Sequence, residues 1–125
     1  MLGEAANSVG ARKAGAQSGL NARDMLQSDL RAFVLLHTEP ELDSANPTKA
    51  IEALNAADTV IVMSPFKTGL DYADCLLPVA PFTETSGTFV SAEGRIQSFH
   101  AVVRPRGETR PAWKVLRVLG SMLGI

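Results

Sequence analysis

Two short apolar runs on either side of a helix-length segment constrain the fold of this chain more than any other feature. The first run, Leu30–His37, ends in a continuous apolar stretch, and the second, Thr59–Met63, is rich in β-branched residues. Between them, Asn46 followed by Pro47 is typical of a helix start, because the asparagine can cap the helix and proline fits its first turn. The pattern predicts a βαβ unit with a right-handed crossover, in a parallel sheet covered on both faces.

The segments that follow extend this sheet and then change its pattern. Ser64–Thr68 is expected to be the loop after the second strand, and Asp74–Leu77 predicts a third, buried strand after a linker too short for a long crossover helix. Thr88–Ser91 and Arg95–Phe99 then alternate apolar and polar residues on either side of Gly94. That alternation predicts a β-hairpin with glycine in its turn.

The last segment predicts an amphipathic helix. Thr109 can cap its start, Pro111 fits its first turn, and Gly124 suits the cap at its end. Apolar residues at helical spacing predict one packing stripe, formed by Trp113, Leu116, Val118 or Leu119, and Leu123. The expected fold is therefore an α/β domain: a mostly parallel sheet with flanking helices, a β-hairpin and a C-terminal helix.

Residues 1–28 differ in composition from the rest of the chain. Gly, Ala, Ser and Asn dominate this segment, and Asn21 could cap one helical turn. The segment could not bury enough apolar surface to stay ordered by itself. We expect a partly ordered N-terminal segment of a truncated domain at 1–28 and an α/β domain at 29–125.

Composition restricts the function classes. A formal net charge of -1 predicts no nucleic-acid binding, and no apolar run reaches the length of a membrane span. The single cysteine, Cys75, lies in an apolar run, which predicts a buried thiol and a reducing, cytoplasmic compartment. His37 and His100 lack neighbours at metal-ligand spacing, so no metal site is expected.

The most chemically diverse stretch is Asp74–Gln97, and within it Thr83–Gly87 could present hydroxyls and amides to a phosphate. The alternative is structural: Gly87 would form a turn, the hydroxyls would cap backbone groups, and Glu84 would pair with a basic side chain. Because the spacing matches no phosphate-binding motif, we favour the structural alternative. Ser86 and Ser91 lack the motif of a nucleophile elbow, so a hydrolase is not expected, and no catalytic residue can be assigned.

Two charged groups remain open in their interpretation. Glu93 and Arg95 flank Gly94 at the hairpin tip and could contact a ligand or a partner protein, although such tips are usually solvated. A basic group near the C-terminal helix would suit an acidic partner or have no partner; it consists of Arg104, Arg106 and Arg110.

The central stretch resembles the signature of the molybdopterin oxidoreductase family. The residues that carry the resemblance are Ala73–Pro78, Glu84, Gly87–Phe89, Glu93–Arg95 and Gln97. The segment from Val79 to Gly120 resembles one branch of that family, the large iron–sulfur subunit of bacterial NADH:quinone oxidoreductase, or complex I. Asn7–Gly10, Gly19–Asp24 and Ser64–Thr68 also fit this branch.

The resemblance implies a part of a longer electron-transferring subunit whose iron–sulfur clusters lie in its N-terminal region. This chain is expected to hold no cofactor, no metal and no catalytic residue. The vestiges of a pterin site would be Ser64, Lys67, Thr68, Thr83, Glu84, Thr85 and Gly87. Residues expected to maintain shape and subunit contacts are Asp74, Pro78, Glu93, Gly94, Arg95, Gln97 and Trp113.

The implied function is a non-catalytic scaffold that packs against other subunits of the complex I peripheral arm, on the cytoplasmic face of the inner membrane. Apolar surface left bare on the sheet or on the Trp113 helix would favour self-association. One alternative is the cofactor-binding domain of a molybdopterin-dependent oxidoreductase such as a formate dehydrogenase. Another is an independent α/β module that binds a small nucleotide.

Overall fold

The computed structural model describes residues 5–17 and 19–125, so the expectations for residues 1–4 and 18 lie outside the described residues. The helices are α1 (Ser8–Lys13), α2 (Ala22–Gln27), α3 (Pro40–Asp43), α4 (Pro47–Ala56) and α5 (Ala112–Leu123). The strands are β1 (Ala32–Leu36), β2 (Thr59–Ser64), β3 (Cys75–Pro78), β4 (Gly87–Val90) and β5 (Ile96–Phe99), and a 3₁₀ turn spans Phe82–Glu84. None of the helices in the described ranges is long and apolar enough to cross a membrane.

The strands β1, β2 and β3 form one parallel sheet in that order, and β4 and β5 form a separate antiparallel hairpin. Helix α4 connects β1 to β2, which confirms the predicted βαβ unit and the α/β class. The predicted caps are also confirmed: the Asn46 side chain accepts a hydrogen bond from the Lys49 amide at 3.1 Å, and Asn21 accepts one from the Asp24 amide at 3.0 Å. Local sequence therefore determines where these helices begin.

The core lies between the sheet and α4. Its buried cluster consists of Phe33, Leu54, Val60, Val62 and Tyr72. In the parallel register Phe33 pairs with Val60, so these side chains share the face of the sheet that α4 covers. Helix α2 packs beside α4, α1 lies against β4, and the proposed division of the chain at residue 28 stays a prediction.

The opposite face of the sheet is open at β1, so the prediction of a sheet covered on both faces is wrong for this strand. Val34 and Leu36 alternate with the core residues and are 53% and 38% exposed. The apolar run indicated a strand correctly, but its composition could not show which of its two faces finds a cover.

The prediction that β3 is a buried strand with a buried thiol is also wrong. The sheet order places β3 at an edge, and Cys75 is exposed. Asp74 nevertheless fixes the start of β3: its carboxylate accepts a hydrogen bond from the Val60 amide at 2.7 Å, and its own amide donates to the Val60 carbonyl at 2.9 Å. The side chain thus supports the pairing of β2 with β3, and the expected part of Asp74 in subunit contacts stays a prediction.

Helix α5 begins differently from the prediction. Pro111 occupies the capping position itself, while the Thr109 hydroxyl donates to the Arg106 carbonyl at 2.8 Å. Gly124 ends the helix in the left-handed conformation, with φ of 75°, as expected.

The predicted packing stripe of α5 is wrong, because Trp113, Leu116 and Leu123 are all exposed. Leu119 is the position of the predicted stripe that is half-buried, and Ala112 and Val115 of the same helix are half-buried as well. The helix is apolar over more than half of its circumference, so periodicity alone could not indicate which part of that arc faces the sheet.

Candidate functional site

The carboxyl ends of β1 and β2 meet beside a small cavity. It encloses about 250 Å³ and is lined by His37, Glu39, Asp43, Ser64, Pro65 and Phe66. The first three residues follow β1 and the last three belong to the end of β2 or follow it. Ligands of open α/β sheets bind at this edge, so the cavity is the first place to examine for a site.

Backbone geometry shapes the cavity wall. His37 takes the left-handed conformation, with φ of 50°, and its amide donates to the Met63 carbonyl at 2.9 Å. The Ser64 hydroxyl is buried and accepts the Phe66 amide at 3.0 Å. Asp43 accepts the Glu39 amide at 2.7 Å. Ser64 and Asp43 are thus engaged in holding the two loops.

The cavity contains only part of the predicted site. Ser64 lines it as expected from the Ser64–Thr68 loop, whereas Lys67 and Thr68 do not. Sequence reasoning missed His37, Glu39 and Asp43, although their position directly after a predicted parallel strand was a usable signal.

A second cavity of about 450 Å³ lies between α2 and the start of α4. Arg23 and Lys49 line it together with Asn46, and Asp43 borders both this cavity and the first. Two cations near the positive end of a helix dipole attract a phosphate-sized anion, while the Asp43 carboxylate at the border of the cavity opposes it. Among the described residues, no cluster of three His, Cys, Asp or Glu side chains could hold a metal ion.

The Thr83–Gly87 segment lines neither cavity. Its polar groups bind the chain that follows the hairpin. The Glu84 carboxylate accepts the Arg106 amide at 2.9 Å, and the Ser86 hydroxyl accepts the Ala101 amide at 3.0 Å. These contacts are structural, but Glu84 bonds a backbone amide rather than the basic side chain that we expected.

The remaining polar groups of this segment are engaged in the same way. The Thr83 carbonyl accepts the Val102 amide at 2.9 Å, and the Thr85 hydroxyl donates to the Ala80 carbonyl at 3.4 Å. Together these groups connect the 3₁₀ turn to the end of β3 and to the segment after the hairpin. The segment has the geometry of an internal clamp.

Gly87 has a packing role and does not form the expected turn. It is the first residue of β4 and lies opposite Phe99 in β5. A Cβ atom at Gly87 would lie 2.7 Å from the Phe99 Cζ atom. The absence of a side chain at Gly87 leaves room for the Phe99 ring. The centre of that ring lies 5.0 Å from the centre of the Phe82 ring and 5.5 Å from the centre of the Phe89 ring.

The hairpin turn forms at the predicted glycine. Gly94 has φ of 87°, and its amide donates to the Ser91 carbonyl at 2.9 Å. The exposed side chains of Glu93, Arg95 and Gln97 surround this end of the hairpin. Their expected part in subunit contacts stays a prediction, as do those of Pro78 and Trp113.

Asn7 has a structural role that the sequence did not indicate, since Asn7–Gly10 was named only as part of the family resemblance. Its side-chain amide donates to the Thr88 carbonyl at 3.2 Å and accepts the Val90 amide at 2.8 Å. A Cβ atom at Gly10 would lie in direct conflict with the Asn7 side chain, so glycine is needed there. Asn7 therefore connects the N-terminal segment to the edge of β4.

The surroundings of Tyr72 shift the pKa of its phenol. Burial raises the pKa of the Tyr72 phenol well above its ordinary value, and a hydrogen bond to Glu41 raises it further. The negative charges of Glu41, Glu39 and Asp71 act in the same direction. Tyr72 thus couples the core to the acidic loop beside the first cavity.

An open parallel sheet with a crossover helix and a carboxyl-edge cavity defines an α/β domain of the kind that binds ligands at its strand ends. The family described as "Molybdopterin oxidoreductase" matches residues 1–122. The chain belongs to the molybdopterin oxidoreductase family.

Relatives of two kinds are similar to this chain. A protein named "Putative formate dehydrogenase" from Staphylococcus haemolyticus is 29% identical over 97 residues, which cover 77% of this chain and 10% of that protein. A protein of the same name from Staphylococcus aureus is 27% identical over 113 residues, covering 90% of this chain and 12% of its own. The NADH-ubiquinone oxidoreductase 78 kDa subunit of Candida albicans mitochondria is 44% identical over 55 residues, covering 44% of this chain and 8% of the subunit. The chain thus spans about a tenth of the length of these relatives.

The family name implies a molybdopterin, so the residues at the carboxyl edge can be tested against it. The first cavity, at about 250 Å³, is smaller than the roughly 300 Å³ at which ligand pockets usually begin. Glu39 and Asp43 line it, and their carboxylates would repel the phosphate of a pterin cofactor. The first cavity does not fit that group.

Proposed function

We propose that this chain is a non-catalytic scaffold and subunit-interaction domain of an electron-transferring respiratory subunit, of the type found in NADH:quinone oxidoreductase. The observation that carries the proposal is the internal clamp at Thr83–Gly87. The Glu84 carboxylate and the Ser86 hydroxyl bind backbone amides of this chain. Side chains that bind backbone amides of their own chain stabilise the fold and are not free to bind a cofactor.

The comparison with the 78 kDa subunit supports the choice of branch. Its identity of 44% over 55 residues exceeds the 27% and 29% of the formate dehydrogenase relatives over their longer matches. In this proposal the chain itself holds no cofactor, and iron–sulfur clusters lie elsewhere in a longer parent subunit. The partners are other subunits of the peripheral arm, on the cytoplasmic face of the inner membrane.

Metal and pterin analysis of the full-length parent protein tests the proposal. We expect several iron atoms per chain, no molybdenum and no pterin. Stoichiometric molybdenum with a pterin would contradict it, because the domain would then hold its cofactor.

A second candidate is the cofactor-binding domain of a molybdopterin-dependent oxidoreductase such as a formate dehydrogenase. The specific support is coverage, since the formate dehydrogenase relatives match 77% and 90% of this chain. The second cavity, with Arg23 and Lys49, would then be the place for a phosphate.

A thermal-shift assay of this chain with guanine nucleotides distinguishes the two candidate functions. The nucleotides stand in for the nucleotide part of the cofactor that the second candidate would bind. A nucleotide at one hundred times its dissociation constant would stabilise the fold by about 2.7 kcal/mol, which a thermal-shift assay detects. The scaffold proposal predicts no shift. The second candidate predicts a shift that Arg23→Gln and Lys49→Gln remove.

A further inference from the structure

Helix α5 and the edge of the sheet form an apolar groove. It encloses about 480 Å³, and its apolar lining is made by Leu77 of β3 together with Val115, Val118, Leu119 and Met122. The lining positions on α5 extend over two turns of the helix, a length of about 12 Å. A groove of this length can accommodate the side chains of a second helix.

No part of the chain within residues 5–17 and 19–125 covers the side of the groove formed by α5. Val118 and Met122 are 53% and 80% exposed, and no residue of α5 is buried. Exposed apolar side chains that line a concave surface are typical of a protein interface.

The charged residues that line the groove are Arg110, Lys114 and Arg117, and all three are cations. The Lys114 ammonium and the Arg117 guanidinium lie 5.3 and 5.8 Å from the centre of the Trp113 ring. Their attraction to the ring holds both charges along the helix surface beside the groove. The rim therefore offers charges of one sign, and a complementary partner must bring carboxylates.

We propose that this groove docks an amphipathic helix of another polypeptide. Apolar side chains of the partner enter between Val118 and Leu77, and its Asp or Glu carboxylates face Lys114 and Arg117. The proposal rests on the proposed scaffold function, which it deepens by assigning the chemistry of one partner.

The same observations disfavour two other occupants. A second copy of α5 would bring the same cations to the contact and place like charges face to face. A bilayer surface would contact the exposed residues of α5 without requiring the concave shape that α5 forms with Leu77, whereas the side chains of a partner helix fit such a groove.

Photo-crosslinking in cells tests the docking site. A photoreactive amino acid replaces Val118 in the full chain, and mass spectrometry identifies the crosslinked segment. We expect a segment of another polypeptide with apolar residues at helical spacing and an excess of Asp and Glu. The same amino acid at Asn55, an exposed position of α4 that does not line the groove, should give a yield at least about fivefold lower.

A charge reversal tests the electrostatic part. The double variant Lys114→Glu/Arg117→Glu should lower the crosslink yield about tenfold, because like charges would then face each other across the contact. The matched variant Lys13→Glu/Lys67→Glu, away from the groove, should leave the yield unchanged. Circular dichroism verifies that each variant is folded.

Each other outcome overturns the proposal. These outcomes are a crosslink to another segment of the parent subunit itself, to a second copy of this chain, to a phospholipid, or to a basic or uncharged segment of another polypeptide, the absence of any crosslink, and a yield that the reversal does not lower. The metal analysis of the parent protein decides the scaffold function separately. A crosslink to a basic segment in a parent with iron and no molybdenum would remove the docking site and leave the scaffold function standing.

Discussion

Gly87 shows how one missing side chain organises the hairpin. The Phe99 ring occupies the space where a Cβ atom at Gly87 would lie, at 2.7 Å from its Cζ atom. Three phenylalanine rings from three parts of the chain meet there because this position is small. From the sequence we expected Gly87 to form a turn. A glycine that allows a turn cannot be distinguished in sequence from one that allows a close approach of another side chain.

Gly87→Ala should destabilise the fold by about 1–3 kcal/mol, because the Phe99 ring must shift to accommodate the new methyl group. Urea unfolding measures the change. Gly19→Ala is the matched control: no atom of the part of the chain that the structure describes lies within 4 Å of a Cβ atom there, so a change within about 0.5 kcal/mol is expected. Equal effects at the two positions would contradict the packing role of Gly87.

Tyr72 predicts a dependence of stability on alkaline pH. Burial and the Glu41 hydrogen bond raise its pKa in the folded state above that of the unfolded chain. Its stabilisation is therefore complete below about pH 10 and is lost as the pH rises further, at up to about 1.4 kcal/mol per pH unit. Urea unfolding at several pH values should show that the free energy of unfolding of Tyr72→Phe falls less steeply at alkaline pH than that of the unsubstituted chain.

A direct titration complements this experiment. Tyr72 is the single tyrosine in the sequence, so tyrosinate absorbance reports on this residue alone. The folded chain should resist ionisation until well above pH 10, and the urea-unfolded chain should titrate near about pH 10. Ionisation at the same pH in both states would contradict the burial of the Tyr72 phenol.

At the scale of elements, the internal clamp shows how a loop without regular structure is held. The segment from Ala101 to Arg106 obtains its hydrogen bonds from Thr83, Glu84 and Ser86. A carboxylate that accepts a backbone amide is among the stronger of these bonds. The clamp therefore connects the hairpin to the start of α5.

Glu84→Ala should release the Arg106 amide. We expect hydrogen exchange at Arg106 to become about tenfold faster, a change of about 1.4 kcal/mol in local opening. Exchange measured by NMR follows this amide directly. Glu84→Gln retains an acceptor oxygen and should show a smaller effect, while Glu93→Ala at the hairpin tip should change nothing at Arg106. Unchanged exchange in Glu84→Ala would show that the bond contributes nothing to the clamp.

At the scale of the whole molecule, the face of the sheet that is left open at β1 is the main departure from a typical α/β domain, although Met63 of β2 is buried on the same face. Helix α4 covers one face, while Val34 and Leu36 stay exposed on the other. Parallel sheets are normally buried on both faces. The apolar surface that we expected on the sheet and on the Trp113 helix is present, and its effect on assembly is testable.

Val34→Glu should reduce self-association. If the open face drives self-association, the molar mass of the unsubstituted chain, measured by light scattering after size exclusion, should rise with concentration. The molar mass of the variant should rise less. Val102→Glu is the matched control, because Val102 is also exposed but lies outside the parallel sheet. A parent chain that stays monomeric at all concentrations would contradict the expectation.

The sequence by itself determined the helix starts at Asn21 and Asn46, the parallel strands and the turn at Gly94. These features depend on residues within a few positions of one another, such as a cap and the amide three residues later, so local pattern is sufficient. The family signature also lies within a continuous stretch.

Tertiary structure alone decided what is exposed and what shares a site. Cys75 is exposed because it lies on the same face of the sheet as the exposed Val34, and α5 presents Val115 rather than Trp113 to its neighbours. His37 and Ser64 meet because two distant strands end side by side. Burial depends on partners that are far away in the chain or in another molecule. The identity of an apolar residue therefore does not show whether its side chain is buried or exposed.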